Sequence, residues 1–453
     1  MSVNTWPLIN PFNWGYNGTI KHVTHDEGTV KLQLKNGEEP LQFEEFLNKY
    51  VPELKNDAKF KLNPALFTGI LQTMYLGSAD YSREFQVFYG REIVKFSDGG
   101  VCTVDYVMKD WENEYKLNET TKKFDVEKFK QDEADTHAEG WPRLQPRTRY
   151  LRDNELQKVH SDDRPLVLVL HGLAGGSHEP VIRSLTQQLS RIGGGKFQVA
   201  VLNSRGCARS KITTRSLFTA FHTGDTREFL QRVRNHHPNK KIYAVGFSFG
   251  ATMLANYLGE EGENTPLSAA CTLSNPWDMV MSSVKTSNDW WSKNLFSANI
   301  TQFLVRLVKV NMGELEVPEG TEPDHPPTVK NPSYYNFTKS NLQKAFKFKT
   351  IADFDSTYTA PCLGFKSAMD YYKSASSINR LPNIKIPLLS INARDDPVVG
   401  PEGVPFDLMK QNPHVVHCET DIGGHLAYLD LEWKPWVTKE IAQYFNVFDD
   451  HVE

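Results

Sequence analysis

The sequence predicts an α/β protein in which a mostly parallel sheet carries helices on both faces. From residue 165 onward, short wholly apolar strands alternate with helical stretches, which is the pattern of a parallel sheet covered on both sides. A glycine-flanked serine, in the run Gly246 to Gly250, lies directly between one such strand and one such helix. The 453 residues are enough for one large domain with insertions or for two domains.

Charge and composition exclude several classes of function. The chain has 51 basic and 55 acidic residues, a formal net charge of −4, and 39% hydrophobic and 23% charged residues. This composition is that of a globular protein. The near-balanced charge argues against a nucleic-acid-binding protein, which would carry a basic excess.

Neither the start of the sequence nor its apolar runs predict export or membrane insertion. Residues 1–18 lack the basic region and the continuous apolar stretch of a signal peptide. The longest aliphatic run, Leu166 to Leu170, is far shorter than the about 20 residues of a transmembrane helix. The five scattered cysteines form no C-x-x-C pair, and we expect them to be buried and reduced. We therefore expect an intracellular protein, either cytoplasmic or peripheral on membranes or lipid droplets.

Residues 1–85 are expected to form an N-terminal extension, followed by one main domain over residues 86–453. Within the extension, Leu62 to Ala79 is uncharged over 18 residues. This stretch predicts a helix that packs on the main domain, with a membrane-surface contact as the alternative.

The main domain begins with a predicted hairpin. Arg91 to Phe96 and Val101 to Met108 are rich in β-forming residues, and Asp98-Gly99-Gly100 between them is a turn signal. The charged segment from Tyr115 to Arg149 is then expected to run over the surface.

The alternating region supplies the strands and helices of the predicted parallel sheet. The strands are expected at Leu166–Leu170, Phe197–Leu202, Ile242–Val245, Ala269–Leu273, Ile386–Ile391 and Val415–Cys418. The helices are expected at Glu179–Arg191, Asp225–Arg234, Ala251–Leu258 and Trp436–Phe445.

More than 100 residues separate the fourth and fifth of these strands. The stretch is too long and too aromatic for a connecting loop, so residues 277–380 are predicted to form an inserted cap over the carboxyl edge of the sheet. A helix-period apolar run within it comprises Phe303, Leu304, Leu307 and Val310.

Ser248 has the sequence surroundings of a catalytic nucleophile. It occupies the centre of a G-x-S-x-G run that follows a predicted strand and precedes a predicted helix, as the sharp turn called the nucleophile elbow requires. A side chain at Gly246 or Gly250 would collide with the strand or the helix. The alternative is a glycine-lined turn with a bystander serine.

A base and an acid for this serine follow later strands. His425 comes after a Gly-Gly pair just beyond the last predicted strand, and an aspartate pair follows the preceding strand. The chain order Ser, Asp, His is that of the α/β-hydrolase fold. Asp396 precedes Pro-Val-Val, the usual setting of the acid, whereas Asp395 is the alternative acid and could instead cap the turn or pair with Arg394.

The loop that starts at His171 is predicted to complete the site. His171-Gly-Leu-Ala-Gly-Gly follows the first strand of the parallel region, where hydrolases of this fold supply one N–H of the oxyanion hole. We assign that N–H to Leu173 and the second to Phe249, the residue after the nucleophile. A glycine-rich phosphate loop is the alternative, but no G-K-[ST] or G-x-G-x-x-G accompanies it.

Longer phrases make the sequence resemble the AB-hydrolase-4 family, and within it the yeast medium-chain fatty acid ethyl ester synthase/esterases. The phrases are NPFNWGYNGT (10–19), VFYGREIVKFSDGGVCT (87–103), GWPRLQPRTRYL (140–151), HGLAGGSHEP (171–180), VLNSRGCARSK (201–211), YAVGFSFGATMLANYLGEEG (243–262), NPWD (275–278), INARDDPVVG (391–400) and DIGGHLAYLD (421–430). The resemblance implies an alcohol O-acyltransferase that makes ethyl esters from medium-chain acyl-CoA and ethanol and also hydrolyses fatty acid esters. It implies catalytic roles for Ser248, Asp396 and His425.

Two other readings of the site stay open. A monoacylglycerol lipase or general carboxylesterase would use the same triad, and a non-catalytic hydrolase-fold binding protein would usually lack one of its members. We expect no metal or organic cofactor, with acyl-CoA as a substrate, and no nucleic-acid partner.

A basic cluster follows the second strand of the parallel region. Arg205, Arg209, Lys211 and Arg215 lie within eleven residues. We expect them near the opening of the site, in contact with the phosphates of CoA. Pairing with nearby carboxylates, or exposure to solvent, is the alternative.

Overall fold

An eleven-stranded sheet organises the chain, of which the computed structural model describes residues 16–453. Residues 1–15 lie outside the described part of the chain. The prediction that the sequence starts without a signal peptide falls on these residues and stays a prediction. The strands, in chain order, are β1 Asn17–Val23, β2 Lys31–Leu32, β3 Leu41–Gln42, β4 Lys59–Lys61, β5 Tyr89–Lys95, β6 Val101–Val107, β7 Thr148–Tyr150, β8 Leu166–Leu170, β9 Gln198–Asn203, β10 Ile242–Phe247, β11 Ala269–Leu273, β12 Leu388–Ala393 and β13 Val415–Thr420.

The sheet is parallel in its centre, and the strands that flank the centre join it antiparallel, while the edge strand β7 pairs parallel with β5. Its order is β4-β1-β13-β12-β11-β10-β8-β9-β6-β5-β7. The six strands from β13 to β9 in this order run parallel to one another, whereas β1 and β6 join them antiparallel. The predicted α/β class and its six parallel strands are therefore confirmed.

Helices cover both faces, as the apolar strands require. They are α1 Phe43–Tyr50, α2 Gly69–Ser78, α3 Asp110–Glu114, α4 Val126–Thr136, α5 Asp153–His160, α6 Pro180–Arg191, α7 Gly224–His236, α8 Phe249–Glu261, α9 Met279–Asn288, α10 Ala298–Val310, α11 Met312–Leu315, α12 Lys339–Ala345, α13 Ile351–Thr357, α14 Thr359–Cys362, α15 Ala368–Ala375, α16 Phe406–Met409 and α17 Trp436–His451. A π-helical segment, Ser292–Ser297, precedes α10.

Alternate residues of each central strand enter two separate cores. In β8, Val167 and Val169 pack with α6 and α17, while Leu166, Leu168 and Leu170 pack with α7 and α8. A period of two residues on a strand buried on both faces produces this division. The four helices predicted from the alternating region are confirmed, although α8 begins at Phe249 and so starts directly after the serine of the turn.

The N-terminal extension adds strands and helices to this body. β1 pairs with β13, with Ile20 opposite Thr420, and β4 pairs with β1. Residues of α1 and α2 share the core that contains α17. The predicted helix in the uncharged stretch is confirmed as α2, which Thr68 caps by accepting the N–H of Leu71. The division of the chain at residue 85 stays a prediction.

The predicted hairpin is confirmed, but the expectation for the segment after it is wrong in part. β5 and β6 pair antiparallel around a turn at Gly99. From Tyr115 onward the chain does not simply run over the surface, because Tyr115 and Phe129 are buried in a small aromatic cluster with Phe88 and Trp111. A few aromatic side chains at the right spacing anchor this otherwise charged segment.

The helices α9 to α15 occupy the stretch between β11 and β12 where the sequence predicts a cap. The four residues of the apolar run in α10 do not all face inward. Leu304 and Leu307 are buried, whereas Phe303 and Val310 are 60% and 69% exposed. Residues 303 and 310 are seven positions apart, so they lie close together on the helix surface, beside the buried pair and on its solvent-facing side.

Arg205 ties three elements together and is buried, with 2% exposure. Its guanidinium donates to both carboxyl oxygens of Asp225 on α7, at 2.9 and 2.6 Å, and to both of Asp98 in the hairpin turn, at 2.7 and 3.0 Å. The expectation that Arg205 contacts CoA is therefore wrong, because two carboxylates occupy its donors. Both pairs are bidentate, which is the geometry that guanidinium favours.

Removal of this arginine should destabilise the fold. We expect Arg205→Ala to lower the free energy of unfolding by about 3–5 kcal/mol, because it removes the guanidinium that pairs with the buried Asp225. Urea unfolding followed by circular dichroism measures the change. Arg215→Ala, at an exposed arginine of the same loop, is the control and should stay within about 0.5 kcal/mol. Equal effects of the two substitutions would contradict the role assigned to Arg205.

Candidate active site

Ser248 lies in a strained turn between β10 and α8. Its backbone angles are φ 51° and ψ −117°, a conformation that residues with a side chain rarely adopt. A Cβ atom at Gly246 would approach Gly250 O to 2.5 Å, and one at Gly250 would collide with the carbonyl groups at the end of β8. Both glycines are therefore required for the tight turn, as predicted, and the turn holds the Ser248 hydroxyl at the carboxyl edge of the sheet.

His425 brings the predicted triad together. Its Nε2 lies 2.9 Å from Ser248 Oγ, and its Nδ1 lies 2.8 Å from Asp396 Oδ2. Because a carboxylate only accepts hydrogen bonds, Nδ1–H donates to Asp396, which leaves Nε2 to accept the serine O–H. This is the arrangement of a general base that is oriented by an acid.

Asp396, rather than Asp395, contacts the histidine. Its other oxygen, Oδ1, accepts the N–H groups of Val398 and Val399 at 2.7 and 2.9 Å. Burial acts to raise the pKa of Asp396, but His425 and the two N–H groups outweigh it and hold this pKa below its ordinary value. The acid stays ionised at neutral pH.

Asp395 has a different partner, in the loop that carries the histidine. Its Oδ1 accepts the N–H of Gly424 at 2.8 Å, next to His425. Burial raises the pKa of Asp395 to about 7, and the neighbouring Asp396 adds to the effect. Of the roles left open for Asp395, the geometry favours a turn-stabilising one. Arg394 instead pairs with Glu419 at 3.2 Å.

The predicted oxyanion-hole residues flank the serine. Leu173 and Phe249 line the same cavity as Ser248, and a Cβ atom at Gly172 would lie 3.7 Å from Ser248 Cβ. Within residues 16–453, neither the Leu173 N–H nor the Phe249 N–H donates a hydrogen bond to another residue. Both groups are thus available to an oxyanion formed at the serine.

The N-terminal helix α2 supports the histidine loop, a role that the sequence did not reveal. Thr73 Oγ1 accepts the N–H of His425 at 2.8 Å, and Gln72 Oε1 accepts the N–H of Leu429 at 2.7 Å. A Cβ atom at Gly69 would collide with the Asp395 carbonyl, so glycine permits this close contact. The uncharged stretch of the sequence was the only signal of this packing. The contacts favour a packed helix over a membrane-surface segment.

Glu179 is a second group that sequence reasoning missed. Its carboxyl lies directly over Gly175 in the loop that starts at His171. A Cβ atom at Gly175 would collide with this carboxyl. Burial raises the pKa of Glu179 to about 7, against the opposing effects of the Gly176 and Gly172 N–H groups and of His425. A Glu-Pro pair at the start of a helix gives no hint of this position in the sequence.

A mostly apolar cavity of about 120 Å³ opens beside Ser248. The helices between β11 and β12 supply one side of it, and the loops at the carboxyl edge of the sheet supply the other. The apolar lining residues are Leu173, Leu217, Phe218, Phe249, Pro276, Met279, Ile300, Leu304, Leu307, Ile351, Phe354, Val398 and Val399. Such a lining suits an alkyl or acyl chain whose carbonyl lies at the serine.

No group of three or more His, Cys, Asp or Glu side chains that could hold a metal ion occurs between residues 16 and 453. The five cysteines are buried and unpaired, as predicted. In the described part of the chain, no helix is both long and apolar enough to span a membrane.

The remaining basic residues of the predicted CoA cluster are partly engaged. Arg209 donates to the carbonyl groups of Arg143 and Leu144 at 2.7 and 3.1 Å. The Lys211 ammonium lies 5.6 Å from the centre of the Trp141 ring. These contacts anchor residues 141–144 and favour a structural role, while Arg215 is exposed.

Comparison with known proteins agrees with this geometry. The family described as alpha/beta hydrolase fold matches residues 165–431. The chain is 63% identical over 450 residues to the medium-chain fatty acid ethyl ester synthase/esterase 2 of Saccharomyces cerevisiae, with 99% of both chains covered. The chain belongs to the alpha/beta hydrolase fold family. The predicted resemblance to the yeast ester synthase/esterases is confirmed by this identity.

At lower sequence identity, this alpha/beta hydrolase is similar to a second yeast protein and to a solved structure. It is 32% identical to the monoacylglycerol lipase of Saccharomyces cerevisiae over 428 residues, which cover 94% of this chain and 88% of the lipase. Among solved structures, an esterase of Pyrococcus furiosus has 14% sequence identity and a TM-score of 0.42, covering 83% of this chain and 98% of that one.

The two aspartates of this hydrolase should differ sharply on substitution. We expect Asp396→Asn to lower kcat for ester hydrolysis by about 10⁴-fold, because asparagine would hold His425 in the wrong tautomer. Asp395→Asn keeps an acceptor for the Gly424 N–H and should cost far less. Steady-state kinetics on a short uncharged ester measures both. If Asp395→Asn proved to be the inactive variant, the acid would have to be reassigned.

Proposed function

We propose that this protein is a serine-dependent acyltransferase and esterase that makes medium-chain fatty acid ethyl esters from acyl-CoA and ethanol and hydrolyses esters. The observation that carries the proposal is the hydrogen-bonded chain from Ser248 through His425 to Asp396, beside an apolar cavity. The yeast relative named as an ethyl ester synthase/esterase supports the choice of substrates.

In the first half-reaction, Ser248 attacks the acyl carbonyl carbon of a thioester or ester. His425 Nε2 takes the hydroxyl proton as the Oγ–C bond forms, and Asp396 stabilises the resulting imidazolium. The Leu173 and Phe249 N–H groups stabilise the oxyanion. As the tetrahedral intermediate collapses, His425 returns the proton to the leaving thiol or alcohol, and an acyl-enzyme remains.

In the second half-reaction, an acceptor hydroxyl attacks the acyl-enzyme. Water yields the free acid and ethanol yields the ethyl ester, with His425 acting as base and then as acid in both cases. The balance between the two products depends on how far the cap keeps water from the acyl carbonyl. The apolar lining of the cavity supports retention of the acyl chain while the acceptor exchanges.

Peripheral contact with a membrane or lipid droplet stays a prediction. The helix α2 packs against the histidine loop, so the cap offers the better candidate surface. Its most exposed apolar side chains are Trp290, Phe303, Val310 and Phe346. The cations Arg306 and Lys309 are exposed on the same helix as Phe303 and Val310, and such a mixture favours an interfacial contact.

Replacement of the nucleophile should abolish both activities together. We expect Ser248→Ala to lower kcat for ester hydrolysis and for ester synthesis by roughly 10⁶-fold, because one acyl-enzyme serves both. Labelling by a fluorophosphonate probe should disappear in the variant and be present in the native protein. Synthesis that persists in the variant would place the transferase at another site, and a native protein that fails to label would favour a non-catalytic binding role.

Competition between acceptors should distinguish a transferase from a lipase. We expect octanoyl-CoA with ethanol in water to give ethyl octanoate together with octanoic acid, and the ester fraction to rise with ethanol concentration. Gas chromatography of both products measures the partition. Free acid alone at every ethanol concentration, with rapid cleavage of monooctanoylglycerol, would instead identify a monoacylglycerol lipase or general carboxylesterase.

A further inference from the structure

One wall of the apolar cavity carries a carboxyl group that the proposed mechanism does not use. Asp355, on the cap helix α13, lines the cavity and is 8% exposed. Its Oδ1 accepts the hydroxyl of Thr359 at 2.5 Å, and its Oδ2 accepts the hydroxyl of Tyr372 at 2.6 Å. A third polar residue, Tyr371, lines the same wall, and its hydroxyl accepts the N–H of Ala220 at 3.0 Å. The wall is therefore a built polar cluster within an apolar lining.

Within residues 16–453, no cationic side chain lines the cavity beside this carboxyl. Among the described residues that line the cavity, the titratable groups facing Asp355 are Tyr371 and Tyr372, and none is a lysine, arginine or histidine. The neighbouring helices α10 and α12 turn their cations to solvent, namely Arg306, Lys309, Lys339 and Lys344. Burial raises the pKa of Asp355 to about 6, against the effect of the two hydroxyl donors. The group is thus mostly ionised at neutral pH and mostly neutral at mildly acidic pH.

We propose that Asp355 is a specificity-determining residue whose ionised carboxyl limits the length of acyl chain that the cavity accepts. An ionised carboxylate has more acceptor sites than the Thr359 and Tyr372 hydroxyls occupy, so it holds water on this wall. An acyl chain that displaces this water leaves the charge poorly solvated, which is costly in an apolar surrounding. This inference rests on the proposed esterase function and adds the basis of its selectivity.

The direction in which pH changes the chain-length selectivity follows from the ionisation of the Asp355 carboxyl. Protonation removes the charge, so a long chain packs against the wall at a smaller cost at low pH. Burial of each further methylene strengthens binding by about fourfold when nothing opposes it. We therefore expect selectivity for long over short chains to be highest below pH 6 and to fall as the pH rises through about 6.

Competition between two uncharged esters tests this directly. Ethyl hexanoate and ethyl dodecanoate are mixed, and the ratio of their kcat/KM values is measured from pH 5 to pH 8 by chromatography of the released acids. Because both esters meet the same enzyme, the titration of the triad and the fraction of folded protein cancel from the ratio. In the native protein, the dodecanoate-to-hexanoate ratio should fall by about tenfold across this range, which corresponds to roughly two methylenes.

Two variants identify the responsible group. In Asp355→Asn, which cannot ionise, the ratio should be high and independent of pH. Tyr372→Phe removes one donor to the carboxylate, so it should move the midpoint of the change to higher pH. Glu322→Gln removes an exposed carboxylate of the cap and is the matched control, which should behave as the native protein.

The outcomes separate this inference from the function on which it rests. A ratio that does not change with pH in the native protein would overturn it, as would an unchanged pH dependence in Asp355→Asn. Loss of activity on both esters to the same degree in Asp355→Asn, with the native pH dependence kept, would indicate a structural role only. Failure of the native protein to hydrolyse either ester would overturn the proposed function itself.

Discussion

The parallel alignment of the central strands is the constraint on which the site depends. β8, β10, β11, β12 and β13 lie side by side and point the same way, so their carboxyl ends meet at one edge. The loops that leave this edge carry Leu173, Ser248, Asp396 and His425, which are far apart in the chain. Open α/β sheets place ligand sites at this edge for the same reason. A shift of one residue in any pairing would move each side chain of that strand from one core to the other and displace the loop that follows the strand.

The N-terminal extension takes part in this arrangement rather than simply preceding it. The strand β1 closes one side of the parallel region against β13, the strand that leads into the histidine loop. Thr73 of α2 then binds the backbone N–H of His425. The loop is thus fixed from three directions, by α2, by Asp395 through Gly424 and by Asp396 through the imidazole ring. The geometry of the base depends on residues more than 300 positions away in sequence.

The sequence could predict the strands and turns that are determined by residues close together in the chain. Wholly apolar runs predicted the central strands to within two or three residues at either end, and the glycine pair around Ser248 predicted the turn. It could not predict contacts that depend on packing between distant elements. From the sequence, Arg205 was expected to contact CoA or to pair with nearby carboxylates. Only the fold shows that Asp98 and Asp225, both distant in the sequence, lie on either side of it. Phe303 and Leu304 are adjacent apolar residues, so the sequence gives no reason to distinguish them. The packing of α10 exposes Phe303 and buries Leu304.

The buried carboxyl groups around the cavity show how the fold assigns charge within a small volume. Asp396 and Asp355 are buried and Asp395 and Glu179 are partly buried, and burial acts to raise every one of their pKa values. Only Asp396 has an imidazole donor at 2.8 Å together with two backbone N–H groups, and its pKa alone falls below the ordinary value. The others keep their protons more readily because their donors are neutral and too few. A negative charge is therefore concentrated beside His425, where it would stabilise the imidazolium of the proposed mechanism. Beside the loop that starts at His171, the raised pKa of Glu179 favours the neutral acid. In the proposed mechanism, a second negative charge there would oppose the developing alkoxide.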